Sequence, residues 1–189
     1  SEHRDNETGM HVRRIGLYAA EMAQLLGWDQ QGLETIRAAA LLHDIGKIGV
    51  RDEVLQKPGP LTDAERAEIC NHPVLGARIA GEVLTTEQVA WIRGHHERVD
   101  GRGYPDGLAG PDIPLGAQIL SLADAFDAMT TVRSYRPKRT PAEAVSECLR
   151  CEGSQFDAIV VHALLRLAGR GELEGVTPLA PPDDEDGGL

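Results

Sequence analysis

Aromatic residues are scarce in this sequence. Only 4% of the 189 residues are Phe, Trp or Tyr, whereas 41% are hydrophobic, so the core must consist mainly of Leu, Ile, Val and Ala. That mixture favours packed helices over a sheet sandwich. A chain of this length can form one domain with a sizeable core. We therefore predict an all-α domain.

Positive charge is also scarce, with 19 Lys and Arg residues against 30 Asp and Glu and a formal net charge of −11. This balance argues against a DNA- or RNA-binding protein with a broad basic surface. An anionic ligand would then need metal ions or a local basic cluster. No apolar run approaches the roughly 20 residues of a membrane span, and no signal peptide begins the chain. We expect a cytoplasmic protein without a membrane segment.

Cysteine is limited to Cys70, Cys148 and Cys151. An odd number does not indicate a disulfide framework. Cys148 and Cys151 have CxxC spacing, but no second pair of Cys or His lies at zinc-finger spacing. We interpret both as ordinary helical cysteines.

Apolar residues recur at spacings of three and four through most of the chain, which predicts amphipathic helices. Gly27 predicts the end of the first helix. The capping box at Thr62–Glu65 predicts a helix start, and Pro73 predicts a break or kink. About seven helices are predicted: one from near the start to Leu26, one from Asp29 to His43, one from Thr62 with a break or kink at Pro73, one capped by Thr85 or Thr86, one from Leu115 to Met129, one from Pro141, and one from Phe156 to Leu167.

Two segments between these helices are candidates for ligand binding. Residues 98–113 form a long loop rich in Gly and Pro, and such a loop in a compact domain is usually functional. Its Tyr104 could stack on a base. Basic residues cluster between Arg133 and Arg139, which in an acidic chain is a credible anion site. We expect the domain to span residues 1–170 and an acidic tail to span 171–189.

Five of the seven histidines are predicted at helix ends or beside breaks, while His3 is predicted on the surface and His162 in the core. The five are His11, His43, His72, His95 and His96. Together with Glu7, Asp44 and Asp124 they form a mixed nitrogen and oxygen ligand set for two or more metal ions. Such a set suits Fe or Mn better than Mg, with Zn or Ni also open. Asp44 could bridge two ions. The His43-Asp44 pair alone is a weak signal.

The combination of motifs is far more specific. The sequence resembles the HD-GYP domain, a branch of the HD metal-dependent phosphohydrolases, from about residue 5 to about 170. The motifs that carry the resemblance are Glu7-Thr-Gly-Met-His11, His43-Asp44-Ile-Gly-Lys47, His72-Pro73, His95-His96-Glu97, Asp100-Gly-Arg-Gly103-Tyr104-Pro105 and Asp124-Ala-Phe-Asp127-Ala. It implies an HD-domain helical bundle with a long GYP loop. It also implies hydrolysis of cyclic di-GMP to the linear dinucleotide or GMP, by attack of metal-bound hydroxide.

Residue roles follow from the same resemblance. It makes seven residues metal ligands: His11, His43, Asp44, His72, His95, His96 and Asp124. Glu7 matches a position that accompanies a third ion in some members, so a di- or trinuclear site is implied. Asp44 and Lys47 would be catalytic, with Lys47 on the substrate phosphate. Further substrate contacts would come from the GYP loop and the basic cluster: Gly103, Tyr104, Pro105, Arg133 and Arg136. Asp127 is assigned to the outer shell of the metals or to a helix salt bridge.

Several alternatives stay open at this point. Another cyclic dinucleotide, such as cyclic GMP-AMP, could be the substrate. The domain could instead be a non-catalytic module that binds a cyclic dinucleotide or a partner such as a diguanylate cyclase. We expect an upstream sensory or receiver domain beyond this sequence, and a homodimer through the first helix is a further hypothesis.

Overall fold

The structure, a computed structural model, describes residues 2–131 and 139–171, with side chains from residue 9 onward in the first helix. Within these ranges the chain forms nine α-helices, α1 to α9 in chain order: Glu2–Leu25, Gln30–Leu42, Asp52–Leu55, Asp63–Cys70, His72–Ala80, Thr86–Gly94, Leu115–Thr130, Pro141–Arg150 and Ala158–Gly169. Short 3₁₀-helices span Ile45–Gly49 and Gly110–Asp112. The described part contains one isolated β-bridge and no strand. The all-α prediction is confirmed.

Two helices exceed the predicted seven. The single turn α3 lies between Val50 and Leu61, where Lys57-Pro58-Gly59-Pro60 predicts a loop with at most one short turn. The helix that begins after Thr62 is divided into α4 and α5 at His72, where Pro73 occupies the first turn of α5. Proline fits there because the amide nitrogens of a first turn have no intrahelical acceptor. The break therefore starts a new helix with His72 at its head.

Helix starts follow the capping signals predicted at Asp29, Thr62 and Thr85, and Thr140 adds a cap that was not predicted. Thr62, Thr85 and Thr140 each form a capping box with the Glu or Gln three residues later. Of the two candidates at α6, Thr85 is the cap. Asp29 caps α2 by accepting a hydrogen bond from the Gly32 amide. Each such cap satisfies an otherwise unpaired amide and typically contributes about 1 kcal/mol.

Helix α7 lies at the centre of the bundle and packs against α1, α6, α8 and α9. Its Ile119, Leu122 and Phe126 are fully buried. The Phe126 ring meets Tyr18 of α1 edge to face, with 5.2 Å between centroids. This contact fixes the two helices that carry Asp124, Asp127 and His11.

The structure corrects one histidine and bears on two other sequence predictions. His162 was predicted in the core, but 63% of its side chain is exposed and it lies 3.5 Å from Glu152. It falls between Val161 and Ala163, which take up the buried face of α9, and successive helical residues are about 100° apart. All three cysteines are free. No described helix is both long and apolar enough to cross a bilayer.

Candidate metal centre

The candidate ligands lie mainly where helices end or begin. His43 and His95 directly follow α2 and α6, and His72 is the first residue of α5. Asp44 and His96 are each the next residue after a histidine. The packing of α2, α5 and α6 brings these ends together, and His11 of α1 completes the group from the side.

Three of the imidazoles share one orientation device. In His43, His72 and His95, Nδ1 lies 2.6–2.7 Å from the carbonyl oxygen three residues earlier. Each carbonyl belongs to the last turn of a helix, where oxygens have no intrahelical donor. Because a carbonyl only accepts, each Nδ1 must carry the proton. The local fold therefore fixes the tautomer in which Nε2 has a free lone pair.

These lone pairs have no hydrogen-bond donor among the described residues. The Nε2 atoms of His43, His72 and His95, and Oδ1 of Asp44, are buried without a hydrogen-bond partner. The three rings are at most 1% exposed. Leaving several buried acceptors unpaired is costly, whereas a divalent cation would satisfy them all at once. The donor set thus fits a metal site, with neutral imidazole nitrogens and a carboxylate.

Asp44 belongs to two ligand groups at once. In one group, ligand atoms of Asp44, His72, His95 and His96 all lie within 4.8 Å of one another, and in the other those of His11, His43 and Asp44 do. Oδ1 of Asp44 is 3.2 Å from His72 Nε2, and Oδ2 is 3.6 Å from His43 Nε2. Each carboxylate oxygen therefore faces a different group. The geometry could hold two ions joined by Asp44.

The electrostatics of the site favour the protonation states that metal ions need. Burial, with the nearby His72, lowers the pKa of His96 to about 3. Burial also holds the pKa of His95 well below its usual range. Burial alone would raise the pKa of Asp44, but the contact with His72 and the charges of His43 and Lys47 hold it well below its usual range. Metals bind neutral imidazoles and ionised carboxylates.

His11 is oriented differently from the other imidazoles. Its Nδ1 lies 2.6 Å from Oδ2 of Asp127, a side chain that is 1% exposed. Arg14 donates to both oxygens of Asp127 and, at 3.1 Å, to the hydroxyl of Thr131. Asp127 therefore fixes His11 by a charge-assisted hydrogen bond, as a carboxylate commonly does for a metal-binding histidine. Burial alone would raise the pKa of Asp127, but the hydrogen bonds with His11 and Arg14 lower it below its usual value.

Asp124 lies beside His11 but outside the two groups. Its Oδ1 is 3.5 Å from His11 Nε2, and 22% of its side chain is exposed. It comes from the α7 face one turn before Asp127. Asp124 thus lies near His11 of the group formed by His11, His43 and Asp44, without being within range of all its ligand atoms.

A glycine allows the close approach of two ligand-bearing segments. A Cβ at Gly46 would lie 1.9 Å from the carbonyl oxygen of His72 and 2.5 Å from the amide nitrogen of Gly76. Both are backbone atoms, so no side-chain movement could relieve the clash. The absence of a side chain at Gly46 is what lets His43 and Asp44 lie against the start of α5.

The GYP loop is tied to the ligand turn by Glu97. This carboxylate is 3% exposed and accepts hydrogen bonds from the amides of Asp106, Gly107 and Leu108 at 2.7–3.1 Å. A Cβ at Gly103 would come within 2.7 Å of the Glu97 backbone. Glu97 therefore serves the loop rather than either ligand group, despite following two histidines in sequence.

Two of the predicted substrate residues border the ligand groups. The ring of Tyr104 lies 4.9 Å from that of His96, at an interplanar angle of 31°. Burial raises the pKa of the Tyr104 hydroxyl, so it stays protonated. Lys47 is 40% exposed, and its Nζ lies 2.5 Å from Oδ2 of Asp44.

The other sequence-predicted residues differ in what the structure says of them. Gly103 and Pro105 flank Tyr104 in the loop. The Glu7 backbone belongs to α1, but its side chain lies outside the described part of the chain. Arg133 and Arg136 fall within residues 132–138, which are also outside it.

Sequence reasoning missed two functional contributors. Arg14 could have been found from its position three residues after His11, where it shares a helix face with it. Glu97 had a weaker signal: a carboxylate directly before a Gly- and Pro-rich loop.

A family model described as HD domain matches residues 2–160. This chain belongs to the HD domain family. One relative, the cyclic di-GMP phosphodiesterase response regulator RpfG of Xanthomonas campestris, is 41% identical over 182 residues, covering 93% of this chain and 47% of that protein. Another, the 3'3'-cGAMP-specific phosphodiesterase 2 of Vibrio cholerae, is 36% identical over 169 residues, covering 87% of this chain and 32% of that protein.

The fold has a similar neighbour among solved structures. Bd1817, a HDG"Y"P protein from Bdellovibrio bacteriovorus, matches with a TM-score of 0.68 and 23% identity, covering 84% of this chain and 51% of that one. Together with the family model and the curated relatives, this neighbour confirms the HD-GYP resemblance predicted from the motifs. The HD domain described here spans less than half the length of the two curated relatives.

Proposed function

We propose that this chain is a metal-dependent phosphodiesterase that hydrolyses cyclic di-GMP to the linear dinucleotide or GMP. The observation that carries the proposal is the convergence of unpartnered Nε2 atoms of His43, His72 and His95 on Asp44. Burying these lone pairs without a partner costs free energy, and a bound cation would offset that cost. Relatives with cyclic dinucleotide phosphodiesterase names support the reaction class.

In this proposal two ligand groups hold two divalent ions. One would use His11, His43, Asp44 and the nearby Asp124, and the other would use Asp44, His72, His95 and His96. When bound, the ions would supply Lewis-acid stabilisation of a phosphodiester and lower the pKa of a water molecule. Fe or Mn are proposed as the native ions because the donors combine imidazole nitrogens with carboxylate oxygens. Glu7 is proposed as a ligand of a third ion.

The remaining roles belong to side chains at the border of the site. Lys47 contacts the Asp44 carboxylate and, being 40% exposed, would donate a hydrogen bond to a substrate phosphate. Tyr104, with Gly103 and Pro105, would form the cleft wall against which a base can stack. Arg133 and Arg136 are proposed to hold the second phosphate. The chain thus positions and neutralises the anionic substrate while providing no side-chain nucleophile.

Cyclic GMP-AMP is the second candidate substrate. The relative named for it is 36% identical to this chain, against 41% for the one named for cyclic di-GMP. Sequence identity is therefore similar to relatives named for either substrate. Both substrates share the phosphodiester chemistry that the metal groups would perform.

The test joins metal content to turnover. The protein is purified without chelators, its metal is counted, and equal samples receive cyclic di-GMP or cyclic GMP-AMP while products are separated over time. We expect two or three equivalents of Fe or Mn and faster cleavage of cyclic di-GMP. Faster cleavage of cyclic GMP-AMP would overturn the substrate, and metal-loaded protein that cuts neither would overturn the activity.

A pair of histidine variants provides the matched control. His95→Ala removes a buried candidate ligand, and we expect its kcat to fall at least a hundredfold together with the loss of one ion. His162→Ala removes an exposed histidine on α9, and its activity and metal content should equal those of the wild type. Equal effects of the two changes would contradict the assignment of the site.

A further inference from the structure

His96 is held differently from the other imidazoles around Asp44. His43, His72 and His95 each bond a main-chain carbonyl through Nδ1, and His11 bonds Asp127. Neither ring nitrogen of His96 makes such a bond to a described residue. Its orientation must therefore come from packing against neighbouring rings.

One of those neighbouring rings is not itself a candidate ligand. His96 contacts His72 and His95, which belong to the same ligand group, with centroids 4.9 and 4.0 Å away. Tyr104 packs on His96 at 4.9 Å and a shallow angle of 31°. The tyrosine ring therefore limits the rotation of His96 about its side-chain bonds.

The position of Tyr104 is set from both sides. Its amide donates to the carbonyl of His96 at 3.2 Å. From two residues after Tyr104, the amides of Asp106, Gly107 and Leu108 donate hydrogen bonds to the buried carboxylate of Glu97. Hydrogen bonds to a buried charged group are strong, and their loss leaves unsatisfied donors. The segment that carries Tyr104 is thus attached at two points, to the carbonyl of His96 and to the carboxylate of Glu97.

We propose that Tyr104 and Glu97 are positioning residues for His96, so that the GYP loop orients one ligand of the ion shared by Asp44, His72, His95 and His96. The inference rests on the two-ion site of the proposed function. It predicts a selective effect, because among the described residues the ring contacts of Tyr104 with histidines are to His72 and His96, not to His11 or His43. The phenol oxygen is not needed for this role, but the ring is.

The experiment is a titration of metal-free protein with Mn²⁺, following free Mn²⁺ by its EPR signal. His96→Ala and His11→Ala first identify which binding step belongs to which ion. Tyr104→Ala is expected to weaken the His96 step about 10–100-fold, the usual cost of losing a ligand's supporting contact, and to leave the His11 step unchanged. Tyr104→Phe keeps the ring and should retain wild-type affinity at both steps.

Two variants of the loop's supports complete the test. Glu97→Gln places an amide group against backbone amides, so it should weaken the same step in the same direction as Tyr104→Ala. Arg93→Ala removes an exposed ion pair with Asp106 on the outer side of the loop, and little change is expected. Circular dichroism of each variant checks that the helices are retained.

The possible results separate the two levels of the proposal. If the wild-type protein binds fewer than two Mn²⁺ ions, the two-ion site and this inference both fail. If it binds two, but Tyr104→Ala weakens neither step or both equally, the inference alone is overturned. If Tyr104→Phe behaves like Tyr104→Ala, the hydroxyl matters and orientation by ring packing is wrong.

Discussion

The two sides of Asp44 achieve the same result by different means. On one side, His72 and His95 are oriented by carbonyl groups in the last turns of α4 and α6. On the other, His43 has the same kind of carbonyl anchor, but His11 is oriented by Asp127, 116 residues away in sequence, which Arg14 holds in turn. Main-chain anchors change only if the helix itself changes. The His11 side can therefore be weakened by one side-chain substitution, whereas the other side must be broken through a ligand, the backbone or the GYP loop.

The largest expected effect comes from removing the residue that both sides share. Asp44→Ala takes one oxygen from each group, so both ions should be lost or bound far more weakly. A loss of several kcal/mol of transition-state stabilisation corresponds to about a thousandfold or more in kcat. Metal counting and steady-state turnover measure it, with the exposed Asp112→Ala as control. Retention of both activity and two ions would refute the shared role of Asp44.

The second-largest effect is expected from a substitution that displaces the backbone next to His72. Gly46→Ala forces a methyl group against the His72 carbonyl and the Gly76 amide, and such overpacking costs about 1–3 kcal/mol. We expect a lower midpoint of urea unfolding and weaker metal binding by the group of His72 and His95. Gly9→Ala is the matched control, since a Cβ there meets no atom within 4 Å. In a helix that change should stabilise the fold slightly. Equal stability of the two variants would argue against the close contact.

The smallest of these effects is expected at His11, which is anchored by the side chain of Asp127. Asp127→Asn removes the charged acceptor of His11 Nδ1 and should weaken the ion held with His11 and His43 about 10–100-fold. The ion held by His72, His95 and His96 should keep its affinity, because those rings do not touch Asp127. A two-step Mn²⁺ titration resolves the two ions. An equal loss at both would show that Asp127 supports the bundle as a whole.

Local chemistry explains what the sequence could predict. Capping boxes at Thr62, Thr85 and Thr140, and the break at Pro73, are contacts within a few residues, so their outcome is visible in the chain itself. The placement of His43 and His95 at helix ends followed from the same signals. The observation that their Nδ1 atoms bond helix-end carbonyls is a consequence of those positions.

Contacts between distant segments could not be predicted in this way. Arg14 and Asp127 lie on α1 and α7, and only the packing of these helices brings them together. Glu97 could be read as one more ligand until the structure showed it facing the loop amides. His162 was predicted in the core, but the phase of α9 turns this residue outward.

The central claim is that Asp44 joins two metal ions held by these two differently anchored groups. Anomalous X-ray diffraction from crystals grown with Mn²⁺ would test it most directly. Apart from a third ion at Glu7, the account predicts two anomalous peaks that share Asp44, one beside His11 and His43 and the other beside His72, His95 and His96. A single peak, or two peaks of which only one touches Asp44, would contradict it.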